Sequence, residues 1–180
     1  MNDSKISVRY ARALLISARE QDVLSGVRDD MNMILLAAKE VPEFKQLLDS
    51  PVIENSRKKE ILAALFENRI QKLSQQFIAL VVENNREEYL PGMARMFIKF
   101  YKEEKGIREA TLKTAVKIDE KTKNQLTELI KQVYRSEIEL SDEVDEKLIG
   151  GFILRVEDLQ MDASVAGQLQ KIRKELAGKR

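Results

Sequence analysis

Apolar residues recur at three- and four-residue intervals through the first hundred or so positions, and this pattern limits the fold more than any motif does. A helical period carried that far, in a stretch rich in Ala, Leu, Glu, Lys and Arg and poor in Gly, requires several helices packed on one another. Six segments emerge. The first starts after Ser4 and runs to about Glu20, with Ile6, Tyr10, Ala13 and Leu14 on one stripe and Val8, Ala11, Leu15 and Ala18 on another. Two stripes imply two surfaces to cover. The second runs from about Asp22 to Glu40, with Val23, Val27, Met31, Ile34 and Ala38 at helical spacing. Pro42 suits the first turn of a third helix ending near Asp49, because the missing N–H of proline costs nothing there. Ser50-Pro51 breaks the chain, and Asn55 or Ser56 is expected to cap a fourth helix that buries Ile61, Leu62, Leu65 and Phe66. A fifth, from about Ile70 to Asn84, contains Ile78-Ala79-Leu80-Val81-Val82, a run that by itself reads equally as a buried strand. Its flanks favour helix, since Ile70, Leu73, Phe77, Leu80 and Asn84 keep the 3.6-residue period. The sixth spans about Glu87 to Glu104, with Leu90, Met93, Met96, Phe97, Phe100 and Tyr101 inward.

Gly106 marks a change of character. Ile107 to Val116 is the first stretch of apolar alternation and reads as a strand. Asp119 caps a helix to about Tyr134, short strands are expected at Glu137–Leu140 and Phe152–Val156, and a last helix runs from about Ser164 to Ala177. The expected fold is therefore mainly α, with an N-terminal six-helix bundle over residues 1–105 and a small α/β domain over 106–180. Charge does not separate the halves, which carry 17 basic and 16 acidic residues and 14 of each, respectively.

The chain has 180 residues and neither Cys nor His. That excludes thiolate nucleophiles, disulfides and Cys-rich metal sites, and removes the usual proton shuttle and the commonest metal ligand. No catalytic residue, cofactor or metal is expected. A net charge of +1 gives no field for nucleic acid, and basic and aromatic residues do not interleave. No segment approaches the roughly 18 to 20 apolar residues of a bilayer span, and the N-terminus lacks the apolar core of a signal peptide, so the chain is expected to stay in the cytoplasm.

The remaining motifs have structural readings. Gly150-Gly151 lacks the spacing of a phosphate cradle and reads as a turn or bulge entering a strand. Asp142, Glu143, Asp145 and Glu146 lack the glycine and final Glu of a calcium loop and read as a solvated face or helix start. Near the C-terminus Lys171, Arg173, Lys174, Lys179 and Arg180 form a basic cluster, explained equally by the helix dipole or by partner contact. Tyr10, flanked by Ala11 and Ala13, either packs in the core or edges a shallow groove for another helix, with the fifth helix as the other wall. Helical phase leaves both open.

Five stretches, in order, resemble one family. Ser7-Val8-Arg9-Tyr10-Ala11-Arg12-Ala13-Leu14 resembles the opening signature of the delta subunit of bacterial F-type ATP synthases, homologous to the mitochondrial oligomycin sensitivity-conferring protein. Pro51-Val52-Ile53 with Lys58, Ile61, Leu62, Leu65 and Phe66 is similar to the family's middle helix, and Phe77 to Val82 with Glu83-Asn84-Asn85-Arg86 and Leu90-Pro91 to its "ENxR…LP" element. Leu148-Ile149-Gly150-Gly151-Phe152, then Asp162-Ala163-Ser164-Val165 and Leu169, is similar to its "GG…DxSV…L" pattern. Met161 departs from it, standing where a branched aliphatic is usual. The resemblance covers nearly the whole chain. It implies a non-catalytic stator part of the proton-translocating synthase, at the cytoplasmic face of the bacterial inner membrane, whose bundle binds an alpha-subunit N-terminal helix between its first and fifth helices. The C-terminal part would join the peripheral-stalk b subunits. Carried over by position, the groove residues are Tyr10 and Leu80, with Ala13, Leu14, Phe77 and Val81 beside them. The alternative is a generic helical adaptor with the same groove and another client.

Overall fold

The computed structural model describes residues 4–177, which group into two compact units parting between Glu104 and Lys105. The first unit is built from α1 (Lys5–Glu20), α2 (Leu24–Glu40), α3 (Pro42–Asp49), α4 (Asn55–Phe66), α5 (Lys72–Glu83) and α6 (Leu90–Lys105), with a 3-10 turn at Glu87–Tyr89 before α6. Local chemistry sets most of the boundaries. Ser4 caps α1, its hydroxyl accepting the Ile6 N–H at 3.2 Å, and Pro42 opens α3. Asp22, Asn68 and Asn85 take positive φ beyond α1, α4 and α5, as residues with short polar side chains tolerate best. Asp22 in that conformation delays α2 until Leu24. Gly106, at φ +64°, ends α6.

The bundle core gathers Val27, Met31 and Ile34 of α2, Leu62 of α4, Val81 and Val82 of α5, and Leu90, Met93 and Phe97 of α6, all fully or nearly fully buried. Phe44 meets Phe66 edge-on, with ring centroids 6.0 Å apart. The inward face of α4 differs from the expected one. Lys58, Leu62 and Phe66 turn inward at the i, i+4, i+8 spacing, whereas Ile61 and Leu65 are 36% and 42% exposed. The cause is an ion pair: Lys58 Nζ lies 2.5 Å from Glu87 Oε1, with both side chains nearly enclosed. Glu54, rather than Asn55 or Ser56, occupies the N-cap position of α4. Phe100 is only half-buried, beneath the Arg12 guanidinium, which lies 5.2 Å from its ring centroid.

The second unit contains β1 (Arg108–Thr114), α7 (Glu120–Tyr134), β2 (Ile138–Val144), β3 (Phe152–Val156), β4 (Leu159–Asp162) and α8 (Val165–Ala177). The sheet order is β2-β1-β3-β4; β1 runs parallel to β2 across α7 and antiparallel to β3, which pairs antiparallel with β4. Alternate residues of β1, Ala110 and Leu112, face a core shared with Ile130, Ile138, Leu140 and Val156. β4 was not anticipated from the sequence, and β2 continues through the acidic cluster, so Asp142 and Glu143 lie on an edge strand and do not begin a helix. There Asp142 binds Lys123 and Glu143 binds Lys113. Gly151 takes φ +80°, and a Cβ on it would fall 2.3 Å from the Ala163 carbonyl oxygen, so the glycine pair permits a turn with close backbone contact. Of the basic cluster, Lys171 and Arg173 are exposed, while Lys179, Arg180 and the side chain of Lys174 lie outside the described residues. Among the described residues no helix is long and apolar enough to cross a membrane, and no cluster of potential metal ligands occurs.

Candidate functional site: the furrow between the first and fifth helices

The amphipathic stripe of α1 buries Ser7, Ala11, Leu14 and Ala18. That leaves Tyr10 half-buried and Ala13 exposed on the next strip of surface. α5 is apolar over more of its circumference, with Ser74, Phe77, Ile78, Val81 and Val82 buried while Leu80 remains 49% exposed. Between these helices runs an open furrow of about 450 Å³. Leu14 and Phe77 contribute to its lining, together with Tyr10, Ala13, Leu73 and Leu80. The Tyr10 and Phe77 rings meet at 63° with centroids 6.4 Å apart, so the two helices share an aromatic contact beside the opening.

A carboxylate from a third helix fixes one wall. No side chain caps the start of α5 locally. Instead Asp30 of α2, 4% exposed, accepts the Gln71 N–H at 2.9 Å and the Ser74 hydroxyl at 2.5 Å. The negative charge sits at the positive end of the α5 dipole, which anchors that helix to the bundle.

Tyr10, Ala13, Leu14, Phe77 and Leu80 are thus brought together on one furrow. Val81 is not among the lining residues; it is fully buried and forms part of the interior. The furrow also takes in Leu73, Gln76, Ser17, Arg9 and Asn84, which the sequence reading does not assign to the groove. Leu73 carried a signal, since it stands four residues before Phe77 and seven before Leu80 on the same helical face. A hollow of about 520 Å³ near the start of α1 is lined by Lys39, Lys45, Asp49, Glu88 and Arg95 among others, side chains that hold water more readily than an apolar partner. The α1/α5 furrow presents mainly carbon and has no such charged floor. It has hydrocarbon that an apolar stripe could cover, and its lining brings no acid and base together.

The model of the family "ATP synthase delta (OSCP) subunit" matches residues 6–176 of this chain. Among curated relatives, the ATP synthase subunit delta of Parabacteroides distasonis is 36% identical over 96% of this chain and 96% of its own length. Those of Christiangramia forsetii and Lactobacillus johnsonii are 34% and 32% identical, each over 98% of this chain and at least 95% of theirs. A chain in the structure titled "Cryo-EM structure of Toxoplasma gondii mitochondrial ATP synthase hexamer, composite model" superposes with a TM-score of 0.76 over 97% of this chain and 98% of that one. At 24% identity, this last likeness concerns the fold. With a family model spanning both units and relatives matched end to end, the chain belongs to the ATP synthase delta (OSCP) subunit family.

Proposed function

We propose that this chain is a non-catalytic stator component of the proton-translocating F-type ATP synthase, holding the catalytic head still against the torque of the rotor. Residues 1–105 bind an N-terminal helix of an alpha subunit in the α1/α5 furrow, and residues 106–180 join the b subunits of the peripheral stalk. The protein is then peripheral to the membrane, at the cytoplasmic face of the bacterial inner membrane, through the complex it joins.

The observation that supports this reading best is the open furrow beside Leu80, a leucine left 49% exposed on a helix that buries Phe77, Ile78, Val81 and Val82. An amphipathic helix laid there removes Leu80, Leu73 and Ala13 from water. Each leucine-sized side chain buried contributes about 1.5–3 kcal/mol before ordering costs, and nanomolar holding needs about 12 kcal/mol net. A few well-packed anchors over a standard interface reach that value.

The test is titration of the full-length protein with a peptide of the alpha-subunit N-terminus from the same organism, followed by heteronuclear NMR shifts. Saturable shifts at Tyr10, Leu73 and Leu80 are expected, and Tyr10→Ala should weaken binding while the protein stays helical. Shifts confined to another face would reject the furrow. Recovery of synthase subunits in a pull-down from native membranes separates the stator from an adaptor with a different client.

A further inference from the structure

We infer that the Tyr10 end of the furrow is a carboxylate-recognition site, where Arg9 and Arg86 together read one acidic side chain of the docked helix and thereby set the direction in which it lies. This rests on the helix-docking reading and adds a specificity element to it. Two guanidiniums lean on a single ring: the Arg9 Cζ lies 6.0 Å from the Tyr10 centroid and the Arg86 Cζ 5.6 Å. The ring face offsets part of each cation's charge, yet two like charges sharing one aromatic still repel. Neither has a carboxylate partner among the described residues.

Arg86 lies close in sequence to three acids, and each is engaged elsewhere. Glu83 pairs with Lys59 across to α4, and Glu87 pairs with Lys58 inside the bundle. Glu88 acts on the neighbouring Tyr89 phenol, which its hydrogen bonding and charge raise above the ordinary range. These neighbouring acids have other partners, leaving Arg9 in the furrow lining and Arg86 over the same Tyr10 ring as the cations of this mainly apolar furrow. Ser17 and Leu73, at the opposite end, are uncharged. A helix bearing an acid near one end of its apolar stripe gains the contact in only one orientation.

The chemistry suits that occupant. A guanidinium presents its N–H groups in a planar fork that matches two carboxylate oxygens, and a second guanidinium can serve the remaining lone pairs. Because the pair sits at a rim, it affects direction, on-rate and salt dependence more than total affinity.

The experiment uses the full-length protein and the alpha-subunit N-terminal peptide, with each acidic residue of the peptide replaced in turn by glutamine. Affinity is measured by calorimetry at low and high salt. Arg9→Gln and Arg86→Gln are each expected to weaken binding about two- to fivefold and to flatten its salt dependence, while Arg86→Lys retains much of that dependence. One peptide acid should show coupling: its glutamine form binds the wild type more weakly and loses nothing further against Arg86→Gln. A nitroxide beside that acid should broaden the amides of Tyr10 and Asn84 and spare those of Ser17 and Leu73. If the wild type binds the peptide and the arginine variants match it in affinity and salt dependence, carboxylate recognition is overturned and helix docking stands. Broadening at Ser17 and Leu73 instead overturns the orientation. If the wild type shows no binding, both readings fall. Arg9 is exposed, so Arg9→Gln carries the test even if Arg86→Gln perturbs the turn after α5.

Discussion

Leu80 and Val81 are neighbours with opposite surroundings, and the contrast lets the proposed docking be tested apart from folding. Leu80 is 49% exposed at the furrow while Val81 is fully buried. Leu80→Ala is expected to weaken peptide binding about tenfold, with a urea midpoint close to that of the wild type, because little of its surface was buried by folding. Val81→Ala removes two methyl groups from a closed interior and should cost about 2 kcal/mol of bundle stability, with affinity below the melting transition changed less than twofold. Calorimetry and urea melts on the two variants check the pair; equal affinity losses would reject the division. Lys58 makes a related point. Lys58→Ala strands Glu87, whose second oxygen already lacks a partner, and should cost about 3–5 kcal/mol, read by urea denaturation. Ranking residues by hydrophobicity placed Ile61 and Leu65 inward, because the acid that makes a buried lysine tolerable stands 29 residues away. Tyr10 and Leu80 come to the groove through the family resemblance, whereas helical phase leaves core and groove open for both and does not show that Val81 turns away from the opening.

Among elements, α5 takes its N-terminal anchor from another helix. Its first turn is held by Asp30 of α2, so Asp30→Ala should cost about 1–2 kcal/mol and speed amide exchange in the first turn of α5 more than in its last. Uniform exchange along α5 would contradict that anchoring. In the sheet unit, Asp142 is held below its ordinary value of 3.8 chiefly by its hydrogen bond from Lys123. A carboxyl depressed on folding contributes stability above its unfolded pKa and loses it as pH falls through the folded one. Asp119 and Asp162 shift the same way through Thr122 and Ser164. The sheet unit should therefore hold a plateau above pH about 4 and weaken in acid, and Asp142→Asn should reduce the slope below that point in pH-dependent melts monitored by circular dichroism. The helices were readable from period and caps, whereas β4 was not: its four residues are all exposed, and only pairing with β3 defines it as a strand. Gly150-Gly151 announced a turn, but the carbonyl that a side chain at Gly151 would strike belongs to Ala163, a contact invisible until the fold is known.

At the scale of the molecule, the division between Glu104 and Lys105 makes a claim about cooperativity. The helical unit carries its own interior from Ala11 to Tyr101, and the sheet unit closes a separate one around Leu112 and Ile130. Around a hundred residues with a filled core is within the range in which single domains fold alone. We therefore expect residues 1–105, expressed without the remainder, to unfold in one cooperative urea transition and to bind the alpha-subunit peptide within about threefold of the full-length affinity, since every furrow residue lies within that stretch. The carboxyls of Asp119, Asp142 and Asp162, each held below its ordinary range, belong to the sheet unit. In the full chain, Asp142→Asn should then shift the sheet-unit transition in acid and leave the helical transition where it is in the wild type. A fragment that stays unfolded, or a full chain that melts in one coincident step at every pH by both helix and sheet probes, would show that each unit completes the other's core, and that docking at the furrow cannot be separated from the state of the C-terminal half.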